Sequence, residues 1–524
     1  MSPASFFSSR LTRTLALVLI FGAALAIRLY DLTDLPFDFH PTRQLVSVLK
    51  ARGLYYETQP DGVSTWELET GIRMAKLKTD IEPVIFERVV AFTYGFTGEQ
   101  FWVARVYASV FWLVGGIFLF LLARELVSFE GALVTTTYYL IFPYAIIASR
   151  SFQPDPLMMM LTLAFWWTFS RWMTRFVSAD TPLSANSRGE QWGWAVLAGL
   201  VGGAAIFVKF LAVFIVIGGA LGLALSRFRL RDLLRNAQVW TMALLGAVPA
   251  LAYMVYGIFI RGDLASQFKG RFSFALLVSP YNYLAWETKA NMVAGGIFIM
   301  LALLGLFLVK EKRLRTLLLS VWIAYVLFGM LSNYHIATHD YYSLPLIPIV
   351  GLSLATLGDW FFAQLTAAAT QRWMRGAAYL ILIFGLFSVL WDVRNQMKAE
   401  DYRPEAAMWA EIGAQFEPET RVLALTQDYG SRLQYWGWHT PASNWPYLGD
   451  TAYANIRNGI FTFDDLFDRQ ASKMKYFLVT DLEEFDRQAE LKQRLFDSYP
   501  VYAEGDGYLI FDLKNPVQQD ADGS

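Results

Sequence analysis

An aspartate, a histidine and an arginine stand together in Asp38-Phe-His40-Pro-Thr-Arg43-Gln44, just beyond an apolar run that ends near Ile27. Ionisable groups beside lipid are costly to hold, so a carboxylate, an imidazole and a guanidinium at one membrane face mark a candidate site. A carboxylate can take the proton of an attacking hydroxyl or amine, and a guanidinium forks onto phosphate. Asp38 is therefore the first candidate for a general base, and His40 the second. Arg43 is a candidate phosphate ligand, the alternative being a side chain that snorkels to lipid head groups. Such a set suits transfer of a group from a phosphodiester. That chemistry needs a base for the acceptor, positive charge for the leaving phosphate, and alignment of both partners.

Other residues of the same chemical types lie further along the chain. Lys209 separates two apolar spans that must turn within a few residues, where an ammonium is either a snorkelling anchor or a phosphate ligand. The loop 261–289 carries Lys269 and Arg271 with Tyr281, Tyr283 and Trp286, a mixture able to pair with phosphate and stack on a sugar ring. Aromatic residues beside a membrane also form interface belts. His335 and His339 have the spacing of one helical face, with Asp340 adjacent; a divalent metal, a substrate contact and interfacial hydrogen bonding are the open readings. Asp38 and His40 could likewise hold a metal that bridges a phosphate. No third ligand is fixed by spacing in either place. Arg150 and Asp155 are expected to pair across the turn between two spans.

These residues must be positioned by membrane helices. The chain of 524 residues is 55% hydrophobic, 16% aromatic and 17% charged, and its apolar runs are long enough to cross a bilayer. Eleven spans are expected, near 11–29, 101–123, 131–149, 155–174, 192–208, 210–226, 237–260, 290–309, 315–332, 341–362 and 376–392. Helices are required because a spanning segment must satisfy its own backbone. Arg10 and Arg13 before an apolar run have the look of a signal peptide, but no small-x-small site precedes Arg28, so the first span is expected to be retained. With the N-terminus inside, the inner ends collect Arg171, Arg175, Arg227 to Arg235, Lys310 to Arg315, Arg372 and Arg375, which obeys the positive-inside rule. The first long loop, all four histidines and the C-terminal region then share the outer compartment. A formal net charge of −1 offers nucleic acid no bulk attraction, and the absence of cysteine excludes disulfides and thiolate chemistry.

The loop 30–100 is too long and too apolar to be a bare connector. Two interfacial helices are expected in it. One runs from Pro41 to Arg52, with Leu45, Val48 and Leu49 on one face and Gly53 as its stop. The other opens at Pro83 after Glu82, carries Val84, Ile85, Val89 and Phe92, and ends near Gly95. Beyond residue 392 charge rises and the apolar runs shorten. Residues 421–426, 475–480 and 508–512 read as buried strands, with helical patterns at 405–416 and 481–498. The expected domains are thus a transmembrane part over 1–392, an outer α/β domain over 393–515, and a disordered tail over 516–524.

In this order the motifs resemble a family. Asp38-x-His-Pro-Thr-Arg-Gln, Glu82-Pro83 leading to Gly98 and Arg105, Ser149-Arg150 with Pro154-Asp155, and Tyr341-Tyr-Ser-Leu-Pro345-Leu-Ile-Pro348 look like the polytopic glycosyltransferases of the GT-C fold, in the branch of protein O-mannosyltransferases and the lipid A aminoarabinose transferase. The resemblance covers roughly 11–392. It implies an inverting hexosyl- or pentosyltransferase that moves a sugar from a polyprenyl-phosphate carrier to a lipid, glycan or protein acceptor on the outer face of a bacterial inner membrane. The carrier-linked sugar is the donor, with no cofactor certain and a divalent metal not favoured. Two departures stand out. His40-Pro41 occupies the place of the family's adjacent acidic pair, and Glu82-Pro83 stands where many relatives carry a cation before paired prolines, so no phosphate role passes to Glu82. The phosphate ligands are expected among Arg43, Lys209, Lys269 and Arg271, and the substrate contacts among Glu82, Asp155, Tyr281, His339 and Tyr341. A transporter or flippase of lipid-linked sugars is the alternative, disfavoured by the lack of an evident two-half repeat.

Overall fold

The apolar runs long enough to cross a bilayer form helix, because unpaired backbone groups have no partner in hydrocarbon. The computed structural model describes residues 5–175, 185–265, 271–458 and 462–517. The chain divides into two compact units: Met1–Thr33, Thr79–Phe86 and Gln100–Glu400 form the first, and Asp34–Lys78, Glu87–Glu99 and Asp401–Ser524 the second.

In the first unit, α1 (Arg10–Arg28) precedes α5 (Phe101–Leu126), the two being separated in sequence by α2 (Pro41–Tyr56), α3 (Thr65–Leu77) and α4 (Ile85–Thr97). There follow α6 (Phe129–Ile141), α7 (Pro143–Ala148), α8 (Asp155–Arg175), α9 (Ala185–Val208), α10 (Ala212–Leu225), α11 (Leu230–Leu234) and α12 (Ala237–Val255). Further helices cover Pro280–Ala294, Gly296–Leu308, Lys312–Leu331, Leu346–Ala368 and Arg372–Met397. Among the described residues, seven helices are long and apolar enough to cross a membrane, or eight if a bent pair counts as one span. The remaining expected spans fall on α6 with α7, which Pro143 interrupts, on α8, and on the shorter α10. The bent pair is Pro280–Ala294 with Gly296–Leu308, at 89°. Gly295 sits at the bend with φ of 72°, a conformation glycine adopts without a Cβ penalty. The straight span expected at 290–309 is therefore a corner. Packing joins α8 to α5 and α9, α9 to α12, α10 to Lys312–Leu331, and α6 to Leu346–Ala368.

The second unit holds α2, most of α4 and the whole of α3 beside a five-stranded sheet of order β2-β1-β3-β5-β4. The strands are β1 (Val422–Leu425), β2 (Ser443–Asn444), β3 (Tyr476–Val479), β4 (Val501–Gly505) and β5 (Tyr508–Asp512). β1 runs parallel to β2 and β3, and β5 is antiparallel to β3 with Phe477 opposite Phe511. Both faces of β1 and β3 are covered, which is why these strands read as continuous apolar runs. Leu423, Leu425, Phe477 and Val479 join Trp445, Phe467 and Phe485 on one side. Val422, Ala424, Tyr476 and Leu478 join Trp409, Ile412 and Leu433 on the other.

Three expectations for the first outer loop change. The helix from Pro41 does not stop at Gly53 but continues to Tyr56. Gly53 is interior because α3 crosses there: a Cβ on it would lie 2.3 Å from the Ala75 Cβ. Helix α3 was not expected, although Ser64-Thr-Trp-Glu67 is a capping box, with Ser64 and Glu67 reciprocally bonded. Helix α4 starts at Ile85, and it buries Phe86, Glu87, Val90, Ala91 and Tyr94 while Val89, Phe92 and Phe96 are exposed.

Candidate active site

In the first unit, α9 ends at Val208 and α10 begins at Ala212, and the short turn between them carries Lys209 inward. The side chain is 5% exposed, and its Nζ donates to both carboxylate oxygens of Asp155 at 2.8 and 2.9 Å. Asp155 opens α8, where the helix dipole favours a carboxylate. The same Nζ lies 4.8 Å from the ring of Tyr341 and 5.0 Å from that of Tyr342. His339 packs edge-on to Tyr341 at 5.4 Å and lies 5.7 Å from His335. Tyr144 lies beside Asp340.

Lys209 lines two clefts. One is lined by Asp155, Tyr341 and Tyr342 together with Met158, Ile215 and Phe328. The other brings Lys209 together with Glu82, Arg271 and Tyr253. A third and much larger cavity, about 510 Å³ and almost wholly apolar, lies among α8, α9, α10, α11 and α12. Ile206, Phe210 and Ala250 line both this cavity and the cleft of Glu82 and Arg271, so apolar and polar spaces share a wall.

Arg150 does not pair with Asp155. Its Nη2 donates to the carbonyls of Tyr30 and Asp31 at 2.7 and 3.0 Å, and its Nη1 to the Met397 sulfur at 2.8 Å. Arg105 donates to the same Asp31 carbonyl at 2.9 Å. Arg28 caps the Ser149 hydroxyl at 2.7 Å. The pairing expected from proximity fails because Lys209 reaches Asp155 from the turn after α9, leaving the buried guanidiniums of Arg105 and Arg150 to satisfy loop carbonyls.

The second unit contains Asp38, His40 and Arg43. Leu35, Pro36, Phe37 and Phe39 are buried, and Asp38, between the two phenylalanines in sequence, is partly exposed. His40 precedes Pro41 in the left-handed region at φ 43°, and its carbonyl accepts from the Arg43 and Gln44 amides as α2 starts. The side chain of Gln44 is fully buried, and its Nε2 donates to the carbonyls of Pro36 and Phe39 at 3.1 and 2.6 Å. Asp34 accepts from the amides of Leu35 and Tyr402 at 2.8 and 3.1 Å.

Of the residues singled out in the sequence, Glu82, Asp155, Lys209, Arg271 and Tyr341 line the paired clefts of the first unit, with His339 packed behind Tyr341. Tyr281 is 54% exposed and lines neither cleft. Lys269 lies outside the described residues, as does most of the expected tail, 518–524. Among the described residues no three His, Asp or Glu side chains form a group that could hold a metal ion. Gln44 and Arg52 were missed. Arg52 is paired with Glu99 at 2.8 Å and lies 3.5 Å from the ring of Tyr435. Both interrupt the apolar stripe of Leu45, Val48 and Leu49 at helical spacing, a signal that buried polar groups hold something in place.

Residues 82–256 match the family described as dolichyl-phosphate-mannose-protein mannosyltransferase. No curated protein matches the full sequence significantly. Among solved structures, ArnT from Cupriavidus metallidurans in the apo state is 17% identical with a TM-score of 0.54, over 95% of this chain and 98% of that one. The same protein bound to undecaprenyl phosphate gives 17% and 0.53, with the same coverage. The archaeal oligosaccharyltransferase AglB from Archaeoglobus fulgidus, in complex with an inhibitory peptide and a dolichol-phosphate, is 14% identical with a TM-score of 0.56, over 98% of this chain and 75% of that one. The chain is thus a polytopic membrane protein of the GT-C fold with a small C-terminal α/β part, resembling the protein mannosyltransferases in 82–256 and ArnT and AglB along nearly its whole length.

Proposed function

We propose that this protein is an inverting glycosyltransferase that takes a sugar from a polyprenyl-phosphate carrier and passes it to an acceptor on the outer face of the membrane. The observation that carries this reading is the wall shared by two spaces. A cleft holding the Lys209 ammonium and the Arg271 guanidinium adjoins an apolar cavity of about 510 Å³ through Ile206, Phe210 and Ala250. A ligand matching that arrangement has an anionic head and a long apolar tail. The structures of ArnT with undecaprenyl phosphate and of AglB with a dolichol-phosphate support the same class of carrier.

The reaction follows from these parts. Asp38 takes the proton of the acceptor hydroxyl or amine, with His40 as the second candidate for that role. The freed lone pair bonds to the anomeric carbon on the face opposite the carrier, the carbon to phosphate-oxygen bond breaks, and polyprenyl phosphate departs with the electron pair. Lys209 and Arg271 stabilise the charge gathering on that phosphate, with Arg43 and Lys269 as further ligands. Asp155 fixes the Lys209 ammonium, and Tyr341 and Glu82 contact the substrate. The acceptor is a lipid, glycan or protein. The positive inner loops support an N-terminus in the cytoplasm and a C-terminal part beyond the bacterial inner membrane.

Mass spectrometry of polyprenyl-phosphate sugars in host membranes lacking the protein tests this. One lipid-linked sugar should accumulate, and complementation by wild type but not by Asp38→Asn or Arg271→Ala should clear it. Equal clearance by all three would sink the mechanism. No accumulation would sink the donor class.

A further inference from the structure

A carboxylate that serves as a base must be held to a fraction of an ångström, and Asp38 sits on a turn outside any helix or strand. What holds that turn comes from two directions. From α2, the Gln44 amide spends both of its N–H groups on the carbonyls of Pro36 and Phe39, which bracket Asp38 at 3.1 and 2.6 Å. Gln44 is fully buried, so water does not compete for those carbonyls. From the C-terminal part of the unit, the guanidinium of Arg432 stacks 3.8 Å from the centre of the Phe37 ring, the residue before Asp38. Tyr402 and Trp436 close on the same ring edge-on, each at 5.4 Å. Arg432 is itself fixed, donating to Asp428 at 2.5 Å and to Glu405. Asp428 also accepts from the hydroxyl of Thr42, in the first turn of α2, at 3.3 Å.

We propose that Gln44 and Arg432 are positioning residues for Asp38, and that this gives the C-terminal α/β part its role: it is the outer wall of the turn that carries the base. The proposal rests on Asp38 being the base. A misplacement of about 1 Å at a reacting group costs on the order of 100-fold in rate, whereas the residues of the phosphate cleft lie on other helices. Loss of either side chain therefore lowers turnover and leaves carrier binding intact.

The test uses the full-length protein. Gln44→Met keeps length and removes both donors; Arg432→Lys keeps the charge and removes the planar stack, and serves if Gln44→Met folds poorly. Three quantities are read: the rate at which complemented membranes clear the accumulated lipid-linked sugar, the Kd of the purified protein for undecaprenyl phosphate, and amide exchange over residues 35–40. Clearance slowed at least tenfold, a Kd within twofold of wild type and faster exchange confined to the turn are expected. Wild-type clearance despite faster exchange would overturn the proposal, as would loss of undecaprenyl phosphate binding together with activity. Asp38→Asn in parallel separates the two claims. If it clears the sugar like wild type, the assignment of the base fails; if it is inactive while Gln44→Met is not, only the positioning role fails.

Discussion

Lys209 and Asp155, 54 residues apart, form a chelated ion pair in which one ammonium meets both oxygens of one carboxylate at 2.8 and 2.9 Å, with both side chains almost entirely buried. Two charges removed from water are tolerable only as a pair, and removing one partner of a buried pair costs about 3–5 kcal/mol. Lys209→Met and Asp155→Asn should each lower the melting temperature of the detergent-purified protein. The double variant Lys209→Met/Asp155→Leu should regain most of that loss while remaining inactive. Full activity in the double variant would show that the pair serves stability alone.

The close approach of α2 and α3 makes a second prediction. A Cβ at Gly53 would overlap that of Ala75, and overpacking of this kind costs about 1–3 kcal/mol. Gly53→Ala should therefore destabilise the protein despite the higher helix propensity of alanine, and Ala75→Gly should restore part of the loss. A melting temperature that rises in Gly53→Ala would mean that the glycine marks only a weak point in the helix.

His439 is buried against Phe416, with ring centres 5.0 Å apart, and burial holds its imidazole below its ordinary value. The unfolded chain then binds the proton more readily than the folded one. Stability from this residue is complete above about pH 6.5 and declines as pH falls below it. His439→Phe should flatten the acid limb of the stability profile, measured by tryptophan fluorescence of the full chain between pH 5 and 8. An unchanged acid limb would assign the loss to other groups.

Lys78 donates to the Ser431 hydroxyl at 3.3 Å and is pushed down to about 8 by burial and then by the nearby charge of Lys50. Its folded form resists the proton, so the penalty is present at neutral pH and fades as pH rises above 8 toward the ordinary lysine value. Lys78→Met should raise the melting temperature at pH 7 and do little near pH 10. An equal gain at both values would mean that packing, not charge, is responsible.

The apolar cavity gives a prediction about the carrier. Ala247 lines it and does not line the cleft of Glu82, Lys209 and Arg271. Ala247→Phe should weaken undecaprenyl phosphate binding about tenfold and leave binding of a short-chain isoprenyl phosphate unchanged. Equal weakening for both lengths would place the tail elsewhere.

Local pattern alone determined the membrane helices and the buried strands at 422–425, 476–479 and 508–512. These follow from composition, because a run of apolar residues in lipid has helix as its solution and a strand covered on both faces must be apolar throughout. Tertiary structure decided which partners meet. Asp155 has Arg150 five residues before it and Lys209 far along the chain, and only the packing of α8 against α9 selects the lysine. Helix α4 is apolar on more than one side, so hydrophobicity cannot choose between Phe92 and Tyr94; the neighbours bury Tyr94 and leave Phe92 exposed. Gly53 has the look of a helix stop by propensity, yet its missing Cβ is what α3 requires. Gln44 reads as a stray polar residue until the carbonyls of Pro36 and Phe39 are brought to it by the fold. Propensity and periodicity act within a few residues, whereas ion pairs, close helix crossings and buried amides depend on surfaces that only the folded chain brings together.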